Sequence, residues 1–147
     1  MRATTPGEIA MRCAEVMWKE DRAARELGVI LDSVGPGIAT TSMLVEDRHL
    51  NGKGMCHGGV IFTLADVAFA YACNSYNHVA VAQFNTISFI TPGKSGERLT
   101  ATARESMNNG RQGIYDITVT SDDGHVVAEF RGNSKVIKGR HFDESED

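Results

Sequence analysis

The sequence has only three cysteines, no cluster of basic residues and no apolar run long enough to cross a membrane. Two of the cysteines, Cys56 and Cys73, lie in an apolar stretch, which favours buried thiols in a reducing cytosol over disulfides. The lysines and arginines are scattered and the formal net charge is -4, so no surface is expected to follow a nucleic-acid backbone. The N-terminus lacks the continuous apolar segment of a signal peptide. These absences predict a cytoplasmic protein that binds neither nucleic acid nor a membrane.

The length and the residue pattern predict a single domain over residues 1–147. Near the N-terminus, apolar residues recur at helical spacing from Glu8 to Leu27, which predicts one amphipathic helix stopped by Gly28. The polar C-terminal segment 139–147 is expected to be a frayed tail. No repeat or linker divides the chain.

A second helix is predicted in the middle of the chain, from His57 to about Asn74, because this long apolar stretch is rich in alanine. Strand-like segments surround it, and the glycines of Asn109-Gly110 and Asp123-Gly124 favour hairpins between the last three. The expected strands cover residues 37–47, 79–90, 98–107, 112–121 and 125–137. An antiparallel sheet curled around one apolar helix accommodates these elements, which indicates the α+β class.

The central helix contains one carboxylate, Asp66, in otherwise apolar surroundings. The residues three and four positions from it are mostly apolar: Phe62, Thr63, Phe69 and Ala70. Burial would raise the pKa of this carboxyl group and make it basic enough to activate water or attack a carbonyl. A purely structural alternative is an ion pair between Asp66 and an arginine such as Arg104 or Arg131.

The start of the same helix offers a complementary group. Gly58 and Gly59 would expose unpaired backbone N–H groups that can hold an oxyanion, although a plain glycine turn is the simpler interpretation. Eight residues of helix place Gly58 roughly 12 Å from Asp66 along the axis. One carbonyl group cannot contact both, so we expect Gly58 of one chain to face Asp66 of another in a homodimer.

Other candidate chemistry is weaker. Cys56 and His57 could form a nucleophile and base, but adjacent residues rarely bring their side chains into the required hydrogen bond. The histidines and cysteines lack recognisable metal-ligand spacing, so no metal site is predicted.

Several motifs together resemble the hotdog-fold acyl-CoA thioesterases of the phenylacetate-degradation (PaaI) type. They are "LNG" at 50–52, "CHGG" at 56–59, "LAD" at 64–66 and "AFAYACNS" at 68–75, and the similarity extends to "TPG", "YDI" and "FRG" further on. The combination is specific, whereas each short motif alone is not.

This resemblance implies a hotdog fold, in which the sheet wraps a long central helix, and a homodimer that commonly pairs into a homotetramer. It implies that Asp66 acts as base or nucleophile, that the Gly58 N–H polarises the thioester carbonyl, and that Asn51 and His57 line the same pocket. Taken alone, Asn51 is a turn residue and His57 a helix cap. Coenzyme A is part of the acyl-CoA substrate, and no separate cofactor is implied.

The acyl group implied by the resemblance is phenylacetyl or hydroxyphenylacetyl. Ala82 or Gln83 occupies the position where some relatives have a serine or threonine that orients water, and this role is not transferred. Gln83 is expected only to line the pocket, together with Gly59, Phe62 and Phe69. Two alternatives remain. One is a non-catalytic acyl-CoA sensor. The other is a hotdog dehydratase or hydratase, although this helix lacks the acid or the histidine that such enzymes need.

Overall fold

The computed structural model describes residues 5–145. It contains three α-helices, a short 3-10 helix at Asp47–His49 and six strands within these residues. The α-helices are α1 (Pro6–Glu20), α2 (Arg22–Leu27) and α3 (Gly58–Cys73). The strands are β1 (Ile30–Gly35), β2 (Ile38–Leu44), β3 (Ala80–Phe89), β4 (Arg98–Asn108), β5 (Gln112–Thr120) and β6 (Val126–Val136).

The six strands form one antiparallel sheet in the order β1-β2-β4-β5-β6-β3. The predicted meander of β4, β5 and β6 is confirmed, and Gly110 and Gly124 adopt positive φ angles of 90° and 88° in its turns. β1, on one edge, has no counterpart in the sequence prediction. β3 forms the other edge and is connected to the sheet only through β6.

α3 lies across one face of this sheet and contacts every strand. Its sheet-facing residues, including Leu64, Ala65 and Ala68, are fully buried. The close approach is clearest at Gly132 on β6, where an added Cβ would lie 2.6 Å from Cδ1 of Phe69. This arrangement of a curled sheet around a central helix confirms the predicted hotdog architecture.

The single helix predicted over residues 8–27 is divided in two at Asp21. This residue ends α1 with a non-helical ψ of 75° and then caps α2, since its side chain accepts from the Ala24 N–H at 3.4 Å. Its other carboxylate oxygen accepts from the Tyr71 hydroxyl at 3.0 Å. Asp21 therefore turns the chain and attaches the N-terminal helices to the end of α3.

The C-terminal segment is not a frayed tail within the described residues. Asn77, which is buried and has a φ of 62°, accepts from the N–H groups of His141 and Phe142 and donates to the Phe142 carbonyl. The segment from 139 to 145 therefore packs onto the loop after α3. Residues 1–4 of the predicted domain and 146–147 of the predicted tail lie outside the described residues.

Candidate active site

The start of α3 leaves one backbone donor available. His57 caps the helix: its Nδ1 accepts from the Gly59 N–H at 3.0 Å, and its carbonyl accepts from the Val60 and Ile61 N–H groups. Across residues 5–145, no acceptor is found for the remaining N–H of the first turn, that of Gly58. This donor is also favoured electrostatically, because the positive end of the helix dipole lies there.

A cavity of about 260 Å³ opens beside this donor. It is lined by Asn51, Met55, Cys56, Gly58, Ile61 and residues 89–92. The ring of Phe89 lies directly over Gly58, since a Cβ added to the glycine would be 3.1 Å from the ring atom Cζ. A carbonyl oxygen entering this largely apolar space could accept a hydrogen bond from the Gly58 N–H.

Asn51 is both a turn residue and a cavity residue. Its Oδ1 accepts from the N–H groups of Lys53 at 2.9 Å and Met55 at 3.1 Å, which fixes the loop. The side-chain oxygen is thereby occupied, and no acceptor is found among the described residues for the amide Nδ2, which is free to donate.

Asp66 lies two turns further along α3, on the face that the sheet leaves uncovered. This face is a stripe of partly or fully exposed residues at helical spacing, comprising Gly59, Thr63, Asp66 and Ala70. In a single chain, α3 is therefore not buried on every side, although its sequence is apolar nearly all round. Desolvation still raises the pKa of Asp66 above its ordinary value of 3.8, and the negative charge of Asp21 raises it further.

No arginine pairs with Asp66 among the described side chains. Arg131 forms a two-pronged ion pair with Asp116 instead, at 2.7 and 2.9 Å. The hydrogen bond to Asp66 comes from Asn85 on β3, whose Nδ2 donates to Oδ1 at 3.4 Å. The structural alternative proposed for Asp66, an ion pair with Arg104 or Arg131, is not what the structure shows.

Asn85 was not among the predicted site residues, because a β-bulge shifts the alternation of β3. Ala82 and Phe84 pair with consecutive residues of β6, Ser134 and Asn133, so Gln83 is left outside the ladder. After the bulge, Asn85 faces α3 while its neighbours are exposed. Four of the ten residues of β3 are polar, so its sequence alone does not single out Asn85.

The predicted pocket residues occupy different environments. Gly59 is exposed, with its N–H bound to His57. Phe62 is half-buried and packs edge-on against Phe130, at a centroid distance of 5.1 Å. Phe69 is 1% exposed and packs in the core, and Gln83 is exposed at the bulge. Phe69 thus lies beneath α3 and away from the uncovered face, where a ligand would meet Asp66.

The thiols next to this site are not poised as nucleophiles. Burial raises the pKa of Cys56 to about 11 and that of Cys73 to about 12, so both remain protonated near neutral pH. The His57 ring, moreover, is hydrogen-bonded to the Gly59 N–H rather than to the Cys56 sulfur. Catalysis by a Cys56–His57 pair therefore has no geometric support.

One group of potential metal ligands lies elsewhere, near the β5–β6 hairpin. Glu97, Asp123 and His125 offer ligand atoms within 4.8 Å of one another. Asp123 and His125 are already bound to each other and to Ser121 within the turn. Among the described residues, no hydrogen bond or ion pair joins the side chains of this group to α3.

Comparisons with known proteins agree with this geometry. Residues 53–128 match the profile of the thioesterase superfamily. The acyl-coenzyme A thioesterase PaaI of Escherichia coli K12 is 44% identical over 130 residues, which are 88% of this chain and 93% of that protein. A solved structure of E. coli PaaI matches this chain with a TM-score of 0.91 at 42% identity. The match covers 92% of this chain and 99% of that chain.

Two further solved structures have the same fold. A single-residue variant of the phenylacetic acid degradation protein PaaI from Thermus thermophilus gives a TM-score of 0.77 at 33% identity, covering 80% of this chain and all of that one (100%). A Streptococcus mutans protein solved with acetyl-CoA gives a TM-score of 0.74 at 28% identity, and the match covers 77% of this chain and 91% of that one. Separately, none of the described helices is both long and apolar enough to cross a bilayer.

Proposed function

Because the chain belongs to the thioesterase superfamily and is an acyl-CoA thioesterase of the PaaI type, we propose that its substrates are aryl-acetyl thioesters, phenylacetyl-CoA or hydroxyphenylacetyl-CoA. The proposal for the site rests on one observation: a single helix carries the unpaired Gly58 N–H at its start and Asp66 on its uncovered face. Two such helices, one from each subunit, would complete each site.

The proposed reaction begins when the Gly58 N–H and the Asn51 amide hold the thioester carbonyl oxygen. Asp66 removes a proton from water as the water oxygen bonds to the carbonyl carbon, and the resulting oxyanion is stabilised by the two donors. The carbon–sulfur bond then breaks, the thiolate of coenzyme A takes the proton from Asp66, and the free acid leaves. His57 contributes by capping α3, which holds the Gly58 N–H in place. Water and the thioester suffice for this reaction, so we propose no cofactor.

The homodimer is supported by the edge strand β3. It is ten residues long, carries no charged side chain and has an unpaired backbone edge, while Phe84 is 64% exposed and Phe89 54% exposed. Such an edge is a template for a second strand. Pairing of two β3 strands would extend the sheet across the dimer and bring the uncovered faces of the two α3 helices together. Further pairing into a tetramer, and a cytoplasmic location, are carried over from the resemblance and from the unpaired cysteines.

The proposed substrate class can be tested by measuring thiol release from phenylacetyl-CoA, hydroxyphenylacetyl-CoA, acetyl-CoA and a long straight-chain acyl-CoA. We expect kcat/KM to be at least about tenfold higher for the aryl-acetyl thioesters than for acetyl-CoA, because an aromatic ring buries more apolar surface than an acetyl group. Equal values across the panel would contradict the proposed acyl specificity. Tight binding of all four without thiol release would favour the sensor alternative.

The raised pKa of Asp66 predicts the pH dependence of the reaction. Since the carboxylate form is the base, kcat/KM should fall as the pH drops through a value above 3.8, the ordinary pKa of an aspartate. The folded protein holds this proton more tightly than the unfolded chain does. The contribution of Asp66 to stability is therefore fully present below 3.8 and is lost as the pH rises through the folded-state pKa. As the pH rises through the folded-state pKa of Asp66, activity should therefore increase while the contribution of Asp66 to stability is lost.

These two opposite trends can be measured on the same protein. The pH profile of kcat/KM gives the first, and the difference in Tm between wild type and Asp66→Asn across the same pH range gives the second. An acid limb at or below pH 3.8 would show that Asp66 is not the group whose ionisation controls activity.

A further inference from the structure

Asn85 is placed against Asp66 by the backbone of β3. The bulge at Gln83 shifts the strand by one residue, so that Asn85 and Ile87 face α3 while Thr86 faces away and is exposed. Bulges of this kind re-aim side chains and are enriched near active sites. Without the bulge, the side chain at position 85 would lie on the outer face of the sheet.

The contact between the two side chains is selective. Within the part of the chain that the structure describes, Nδ2 of Asn85 is the hydrogen-bond donor found for the Asp66 carboxylate, at 3.4 Å from Oδ1. The second carboxylate oxygen of Asp66 is left to a ligand or to water. One oxygen is thus held from β3 while the other is available for proton transfer.

The side-chain oxygen of Asn85 lies in an unusual environment. Its Oδ1 is buried and has no hydrogen-bond partner among the described residues. A buried unpaired acceptor is unfavourable, and an apolar residue of similar size would avoid it. An asparagine in this environment therefore fits a functional role better than a packing role.

We propose that Asn85 is a positioning residue for the reaction: its amide N–H holds the Asp66 carboxylate in its ionised form and turns one oxygen toward the attacking water. The inference rests on the proposed function of Asp66. Asn85, on the strand after the helix, would then support the catalytic carboxylate. This position differs from Ala82 or Gln83, where some relatives have a serine or threonine that orients water.

The test is the pH profile of thiol release from phenylacetyl-CoA for wild type, Asn85→Leu, Asn85→Asp and the control Thr86→Val. Leucine has a similarly branched side chain without the donor, and the ionised form of Asp66 then loses its hydrogen bond. We expect the acid limb of kcat/KM to move up by about one pH unit, with kcat at neutral pH falling and KM nearly unchanged, since one pKa unit is a tenfold change in the proton equilibrium. Asn85→Asp, which adds a second carboxyl group, should move the limb further in the same direction. Thr86→Val, on the opposite face of the same strand, should match wild type.

Each outcome decides between the roles. If Asn85 only packed, Asn85→Leu would change Tm while its acid limb stayed that of wild type, and this result would overturn the inference. If Asn85→Leu fails to fold, Asn85→Ala removes the same donor without adding apolar bulk and carries the test, because Asn85→Asp would move the limb by charge repulsion in either role. A wild-type protein that releases no thiol, or an Asp66→Asn variant of full activity, would instead count against the proposed function. The two failures are thus separate.

Discussion

We expect Asp66→Asn to lower kcat for thioester hydrolysis by about 10²–10⁴-fold, the usual contribution of a positioned general base. Asparagine keeps the shape of the side chain and removes the group that accepts the proton. KM should change little, because Asp66 acts on water rather than on the bound coenzyme A. The measurement is thiol release under saturating phenylacetyl-CoA.

The same substitution should not weaken the fold. Burial makes the ionised carboxylate unfavourable in the folded state, as the raised pKa of Asp66 indicates. The neutral amide therefore leaves Tm unchanged or higher at neutral pH. A suitable control is Asp116→Asn, which removes a carboxylate from β5, where it pairs with Arg131, and should leave kcat near wild type. A large loss of activity accompanied by a large fall in Tm would point to misfolding rather than to lost chemistry.

The second large effect is expected at Gly58, where the proposed oxyanion donor is a backbone group. Gly58→Pro deletes the N–H at the first position of α3, a position that proline occupies readily in helices. The preceding residue, His57, has a ψ of 137°, which is the conformation that a following proline favours. We expect kcat to fall by about 10²–10³-fold, as for the loss of one oxyanion-hole donor.

Gly58→Ala is the matched control for this variant. It adds a Cβ in the same place, 3.1 Å from Cζ of Phe89, but it keeps the N–H. Crowding of Phe89 should affect both variants, whereas loss of the donor affects only the proline variant. Equal activities for the alanine and proline variants would mean that this N–H does not hold the oxyanion.

Mixing the two inactive variants tests whether each site needs two chains. In a mixed dimer of Asp66→Asn and Gly58→Pro subunits, one site would receive an intact Gly58 and an intact Asp66, and the other would receive neither. After unfolding and refolding in equal amounts, we expect about a quarter of the wild-type activity, because half of the dimers are mixed and one of their two sites is complete. No recovery would place both groups of each site in one chain.

The central helix and the β4–β6 meander could be predicted from sequence because their signals are local. The apolar stretch ending near Asn74 and the glycines of two hairpins each act within a few residues. β1 could not be predicted in this way, since only one of its six residues, Gly35, is buried and its alternation is weak. The break at Asp21 was also hidden, because a capping aspartate and a surface aspartate within a helix look the same in sequence.

The part of the candidate site that lies on α3 could be predicted from the sequence. Gly58 and Asp66 were identified because an unpaired helix N-terminus and a carboxylate among apolar residues are visible in sequence. Asn85 depends on a bulge, which arises from how β3 pairs with β6, two strands that are distant in the chain. The docking of residues 139–145 onto Asn77 depends on long-range pairing in the same way.

The uncharged edge of β3 also affects how the protein must be produced in a cell. A newly folded chain presents a long uncharged strand with no lysine or proline to discourage unintended pairing. Until a second β3 occupies this edge, any other partly folded chain can do so. The yield of active enzyme during rapid synthesis should therefore depend on how soon two identical chains meet, and aggregation competes with that encounter even when each chain has folded correctly.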